Sequence, residues 1–327
     1  MAADAASNTR EVYGDAPLVG AIEAGGTKFV CAIGNGPEAG LLARQEFPTG
    51  DDPQRTIREV IGWLEAESRR VGSIRALGVA SFGPVELDAS SPRYGWITTT
   101  PKPGWRDTDV VGPLRRAFPG LPIGFDTDVN GAALGEGRWG AAVGLDDFIY
   151  VTVGTGIGGG GVARGRLLHG LVHPEMGHIP MPVLDGDRFA GSCAIHGRCW
   201  EGLCAGPAIA ARTGRPADAL AADDPAWDLT ARYMAQAFAT LTYVLSPRRI
   251  IFGGSVRKGG RLGEAAFLDK TRAALLEVLN GYIASPALTK DGVRDFIVAP
   301  TLGDDAGVCG AIALAHDALR SGEPHRP

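Results

Sequence analysis

Two stretches of this chain show the same alternation of apolar strand residues and glycine. Residues 147–166, DFIYVTVGTGIGGGGVARGR, open with Phe148, Ile149, Tyr150, Val151 and Val153, the β-branched and aromatic types that suit a buried strand. Gly154, Gly156, Gly158, Gly159, Gly160 and Gly161 follow, with only Thr155 and Ile157 between them, and Val162 begins a return strand. Residues 18–34, LVGAIEAGGTKFVCAIG, repeat the pattern as a strand over 18–22, a turn at Gly25, Gly26 and Thr27, and a strand over 29–33. Two such hairpins, about one domain length apart, point to a duplicated architecture.

The pattern elsewhere supplies the other elements. A turn-rich connection leads to Asp52, which can cap a helix with Pro53 at its first position, and Ile57, Val60, Ile61 and Leu64 then mark one apolar face. A strand over 74–81 ends in Ser81-Phe82-Gly83-Pro84, and residues 94–105, YGWITTTPKPGW, are too proline-rich for one regular element. A short strand over 121–125 meets an acidic turn, Asp126-Thr127-Asp128, and a helix over 130–139. Beyond the second hairpin come a helix over 228–245, a strand over 249–252 running into Gly253-Gly254, a helix over 263–279 and a short strand over 296–299. A last helix over 306–319 is capped by Asp304-Asp305. Strands and helices mixed in both halves indicate an α/β fold.

Length and composition narrow the class. A chain of 327 residues with 45% apolar and 21% charged residues suits a globular protein of two domains. A net charge of −5 gives no basic footprint for nucleic acid, and no apolar run reaches membrane-spanning length. The first 17 residues lack the apolar core of a signal peptide and are expected to be a disordered lead-in. Five cysteines, three of them between 193 and 204, do not form a secreted disulfide framework, so a cytoplasmic location is expected.

The glycine turns read as phosphate cradles, because glycine reaches positive φ and lets backbone N–H groups converge on an anion. Gly154, Gly156 and Gly159 match G-x-G-x-x-G, but no helix follows to complete a dinucleotide site, and no P-loop sequence occurs. Asp128 stands at a strand end and a helix start, where a carboxylate could take the proton of a hydroxyl attacking a γ-phosphate. Glu23 would repel phosphates at the first turn unless Mg²⁺ intervenes. His178, Cys193, His196 and Cys199 make an H-x14-C-x2-H-x2-C set suited to a closed, structural tetrahedral zinc site, with His169 and His173 as spare first ligands. Glu175 and Glu201 flank this set and could accept bonds from sugar hydroxyls on a metal-stiffened scaffold.

The segments EAGGTK (23–28), DTDVNGAALGE (126–136), GTGIGGG (154–160), HPEMGH (173–178) and CAIHGRCWEG (193–202) resemble the ROK family of sugar kinases, and its zinc-containing bacterial fructokinase branch in particular. SFGP (81–84) and TTTPKPGW (98–105) resemble that branch too. The resemblance implies an actin/hexokinase-type fold of two ribonuclease-H-like domains around an ATP and sugar cleft. The first domain would span 18–127, completed by the helix 306–319; the second would span 128–305, with a zinc-binding insertion over 173–204. The resemblance further implies ATP contacts at Gly25, Gly26, Thr27, Thr155, Gly156, Pro207, Gly253, Gly254 and Ser255, with Asp128 as catalytic base. Sugar contacts are expected at Glu175, Glu201, Phe82 and Trp105, with the loops 81–84 and 98–105 supplying part of the pocket's shape. The implied cofactors are Mg²⁺ with ATP and a structural Zn²⁺, and the implied assembly is a homodimer. The implied reaction phosphorylates D-fructose at its 6-hydroxyl. A mannose or glucose kinase and a non-catalytic sugar sensor are the alternatives. Glucokinases of the family often have Asp at the place of Glu23 and Asn at that of Thr127, and their cysteine cluster is C-x-C-G-x-x-G-C. These departures favour the fructokinase branch.

Overall fold

The computed structural model describes residues 16–37 and 40–321, so most of the expected lead-in, residues 1–15, lies outside the described residues. Among the described residues two compact units emerge, one of residues 16–37, 40–140, 169–173 and 304–321, the other of residues 141–168 and 174–303. The boundary expected after Thr127 falls after Gly140, because the helix Asp128–Trp139 packs within the first unit.

The first unit is built on β1 (Val19–Ala24), β2 (Lys28–Gly34), β3 (Leu41–Pro48), β4 (Leu77–Ser81) and, beyond a short pair β5 (Trp96–Ile97) and β6 (Thr108–Asp109), β7 (Ile123–Thr127). The sheet order is β3-β2-β1-β4-β7. β1, β4 and β7 run parallel, while β2 and β3 add antiparallel strands at one side. β1 and β4 are covered on both faces, which explains their nearly continuous apolar sequences. β3 replaces the turn-rich connection expected there. It is a largely exposed edge carrying Arg44, Gln45 and Glu46, so it lacks the apolar alternation that marks a half-buried strand.

The helix Pro53–Val71 starts as expected, with Asp52 Oδ1 accepting the Arg55 N–H at 3.0 Å, and buries Ile57, Val60 and Leu64. The helix Ala306–Ser321 is buried from Ala306 to Ala315 and lies directly on the sheet. Its approach requires glycine beneath it: a Cβ on Gly78 would stand 1.8 Å from the Ala311 carbonyl oxygen.

The second unit repeats the plan. β8 (Phe148–Val153), β9 (Ile157–Ala163), β10 (Arg166–Leu167), β11 (Ile250–Gly253) and β12 (Ile297–Val298) take the order β10-β9-β8-β11-β12. β8, β11 and β12 are parallel and β9 and β10 antiparallel, so each sheet joins a glycine hairpin to a parallel set. The helices Ala226–Leu245 and Glu264–Leu279 build the core, where Phe238 meets Trp200 and Phe252 edge-on at 5.6 and 5.3 Å and Trp227 meets Phe267 at 5.4 Å.

Candidate active site

In the first unit the chemistry collects where the parallel strands end, the edge at which open α/β sheets receive ligands. At the end of β1, the Gly25 N–H donates to the Lys28 carbonyl (3.0 Å) and the Thr49 hydroxyl to the Gly25 carbonyl (2.6 Å). The hairpin is thereby held from behind, while Gly26 and Thr27 form an exposed tip. A Cβ on Gly26 would meet no atom within 4 Å, which leaves room for a ligand.

β7 ends at Thr127, whose hydroxyl caps the following helix by accepting the Asn130 N–H at 3.1 Å. Asp128 is therefore the first helical residue, and its Oδ1 accepts the Val129 N–H at 2.9 Å. Burial nevertheless wins over this bond and pushes the Asp128 carboxyl up to about 6. Glu23 lies near it on β1. One of its oxygens, Oε2, is buried without a hydrogen-bond partner, and its carboxyl occupies the space a Cβ on Gly307 would need. Burial, and next the charge of Asp128, push Glu23 up to about 7. The charge of Asp128 thus adds to burial in holding the Glu23 carboxyl toward its protonated form.

Two expected sugar contacts sit elsewhere. Trp105 is wholly buried, 5.3 Å from the Phe29 ring and 5.5 Å from that of Phe82, with its Nε1–H bonded to the Gly50 carbonyl at 3.1 Å. Phe82 is buried as well. Both are core residues behind their loops, because large aromatic rings gain more from packing than from a wet polar pocket. His169 and His173, the spare zinc candidates, belong to the first unit and stand outside the zinc cluster. His173 Nε2 accepts the Val85 N–H at 3.1 Å, and His169 Nε2 lies 2.8 Å from Asp126 Oδ2.

In the second unit the glycine hairpin differs from its expected form. Gly158, Gly159, Gly160 and Gly161 lie in β9, and none of the hairpin glycines has a positive φ. They serve close approach instead: a Cβ on Gly159 would stand 2.4 Å from Met176 Sδ. Only Gly154, Thr155 and Gly156 form the turn, with Thr155 exposed. The Gly206 N–H donates to the Gly154 carbonyl at 2.8 Å, which brings Pro207 to the same edge. Gly254, at φ +86°, bends the end of β11 against the Val153 backbone, and Ser255 Oγ lies 3.6 Å from the Cβ position of Gly154. Thr155, Gly156, Pro207, Gly253, Gly254 and Ser255 therefore gather at the carboxyl ends of β8 and β11.

Glu201 closes this edge: its Oε2 accepts the Ile157 N–H at 2.9 Å and lies 2.8 Å from the Cβ position of Gly156. Glu175 is exposed, and its carbonyl accepts the His178 N–H at 3.0 Å in a short turn that packs on β9. His178, Cys193, His196 and Cys199 bring their ligand atoms within 4.8 Å of one another. His178 Nδ1 is 3.9 Å from Cys193 Sγ and 3.5 Å from Cys199 Sγ, and His196 Nδ1 is 3.8 Å from Cys193 Sγ. Tetrahedral zinc with bonds of about 2.3 Å to sulfur and about 2.0 Å to nitrogen sets such atoms roughly 3.5–3.8 Å apart. The donor set fits structural zinc.

Each sheet thus carries a glycine hairpin beside the ends of its parallel strands, and one adds a carboxylate at a helix start. This defines an α/β enzyme class that handles phosphates. The chain belongs to the ROK family, whose model matches residues 19–318. It is 42% identical over 304 residues to a fructokinase of Zymomonas mobilis, covering 92% of this chain and 97% of that one. A fructokinase of Pediococcus pentosaceus is 39% identical over 305 residues, with 93% and 99% covered. Among solved structures, the ROK hexokinase of Thermus thermophilus superposes with a TM-score of 0.74 at 27% identity, covering 93% of this chain and all of that one. The expected fold class is the one observed.

Proposed function

We propose that the protein is an ATP-dependent fructokinase that transfers the γ-phosphoryl group to the 6-hydroxyl of D-fructose. The observation that carries this is likeness to fructokinases at about 40% identity along more than nine-tenths of both chains. The geometry suits the reaction. Asp128, ionised above about pH 6, accepts the hydroxyl proton as the oxygen attacks phosphorus. The hairpin tips at Gly26-Thr27 and Thr155-Gly156 offer N–H and hydroxyl donors to phosphate oxygens, and Pro207 with Gly253, Gly254 and Ser255 receives the adenosine part. Glu175 and the free oxygen of Glu201 take sugar hydroxyls.

Two sets of residues suit metals in this reading. Glu23 Oε2, buried and unpaired, suits the shell of a Mg²⁺ that neutralises phosphate charge when bound. His178, Cys193, His196 and Cys199 would hold a zinc ion, which would stiffen the segment that carries Glu175 and Glu201. The protein acts as a homodimer, for which exposed Tyr243, Val244 and Tyr282 offer an apolar surface. A reducing, cytoplasmic setting suits five unpaired cysteines, and among the described residues no helix is long and apolar enough to cross a membrane.

Coupled ADP release with MgATP and a panel of fructose, mannose and glucose tests the substrate. Fructose should give the highest kcat/KM. Higher values with mannose or glucose make the protein another hexose kinase of the family, and no turnover with any sugar makes it a sensor.

A further inference from the structure

Residues 169–173, His-Gly-Leu-Val-His, are flanked on both sides in sequence by the second unit and yet pack as part of the first. A histidine pins each end. His173 is buried and its Nε2 accepts the Val85 N–H, which anchors that end of the segment. His169 is different. Its Nε2 bonds Asp126, but its side chain stays 45% exposed, and Nδ1 has no hydrogen-bond partner among the described residues.

Asp126 explains how such a half-exposed ring is held. It is only 3% exposed. Its Oδ1 accepts the Thr127 N–H and an Asn130 Nδ2–H, both at 2.7 Å, and its Oδ2 takes His169. The carboxylate is consumed by these bonds and has no role toward a ligand of its own. As an acceptor it keeps the proton of the imidazole on Nε2, and it favours the charged ring over the neutral one. Nδ1 is thereby left to whatever lies outside, as an acceptor in the neutral ring or a donor in the charged one. Asp126 and Asn130 bracket Asp128 on the same strand-to-helix turn, so the imidazole is fixed to the very turn that carries the base.

We propose that His169 is a specificity-determining residue of the acceptor site, held by Asp126 through Nε2 and bonding one sugar hydroxyl through Nδ1. This rests on the fructokinase reading above. A hydroxyl can answer either form of Nδ1, because it both donates and accepts. A held imidazole recognises one hydroxyl in the plane of its ring, whereas a carboxylate takes any vicinal pair. A sugar that places no hydroxyl there leaves a polar group unpaired, which is how a site rejects a close analogue.

Two substitutions separate this role from anchoring, in the full-length, zinc-loaded protein. His169→Gln puts an amide N–H near the place of Nε2 and keeps the Asp126 bond but has nothing at Nδ1. His169→Asn puts polar atoms near Nδ1 and gives up Asp126. With Gln, Tm, zinc content and KM for MgATP should stay within about twofold or two degrees. KM for fructose should rise about tenfold, the loss expected of one hydrogen bond, and the preference for fructose over mannose should shrink. Asn should recover part of the fructose KM at lower Tm. Wild-type KM for fructose in His169→Gln overturns the proposal and leaves His169 an anchor. So does an equal rise in both KM values. If Gln does not fold, fructose binding to the Asn variant decides, and binding weaker than in His169→Ala overturns the proposal. The wild-type sugar panel is scored separately; if it favours another hexose, the fructokinase reading fails and these variants are read with that hexose.

Discussion

Asp128→Asn should cost most of the activity and make the protein more stable at alkaline pH. The two effects come from one feature, a carboxylate held where burial opposes its charge. Asn keeps the size and the acceptor for the Val129 N–H at 2.9 Å but cannot take a proton. General-base catalysis contributes about 10²–10⁴, so kcat should fall at least about 100-fold, while ATP binding is retained. For stability, the folded carboxyl rises from the usual 3.8 to about 6, so the native state binds the extra proton between those values. Its stabilising contribution is complete below about pH 4 and is lost as pH climbs through about 6. The rise from 3.8 to about 6 corresponds to an upper bound of roughly 3 kcal/mol, because the residue is only half-buried. At pH 8 the Asn variant should therefore melt several degrees above wild type, at roughly 2–4 °C per kcal/mol, and near pH 4 the two should coincide. The wild-type kcat/KM should fall on the acid side with a midpoint near 6. Coupled assays from pH 5 to 8.5 and melting curves at both ends measure all of this. Turnover within threefold of wild type in the folded variant would remove Asp128 from the mechanism. An unchanged or lower Tm at pH 8 would show that burial does not set its charge.

Two further outcomes follow from the site. Protein purified without added metal should carry one zinc per chain by elemental analysis; Cys193→Ser should lose most of it and melt at least about 5 °C lower, and a variant with unchanged zinc would disprove the ligand set. Trp105→Ala should destabilise the protein by about 3–5 kcal/mol in denaturant titration, whereas Trp105→Phe should keep KM for fructose within twofold; a tenfold rise without loss of stability would return the ring to the sugar site.

The local sequence carried the architecture and most of the candidate site. Strand residues leading into GGT and GTG turns are determined by neighbours a few positions away, so both hairpins were legible. The cap at Asp52 and the H-x14-C-x2-H-x2-C set were legible for the same reason. The structure brings the four zinc-type ligands within 4.8 Å. Other features depended on residues distant in sequence. The edge strand β3 has polar side chains and exists because β2 offers it a pairing partner. Gly159 reads as phosphate-binding until Met176 is seen to fill the space beside it. Trp105 reads as a ligand platform until Phe29 and Phe82 enclose it. Asp126 looks like a turn residue, and its bond to His169 spans 43 positions, a pairing no periodicity announces. The protonation of Glu23 and Asp128 was equally hidden, because a carboxyl's pKa is set by what surrounds it in space, and only the tertiary structure brings those surroundings together.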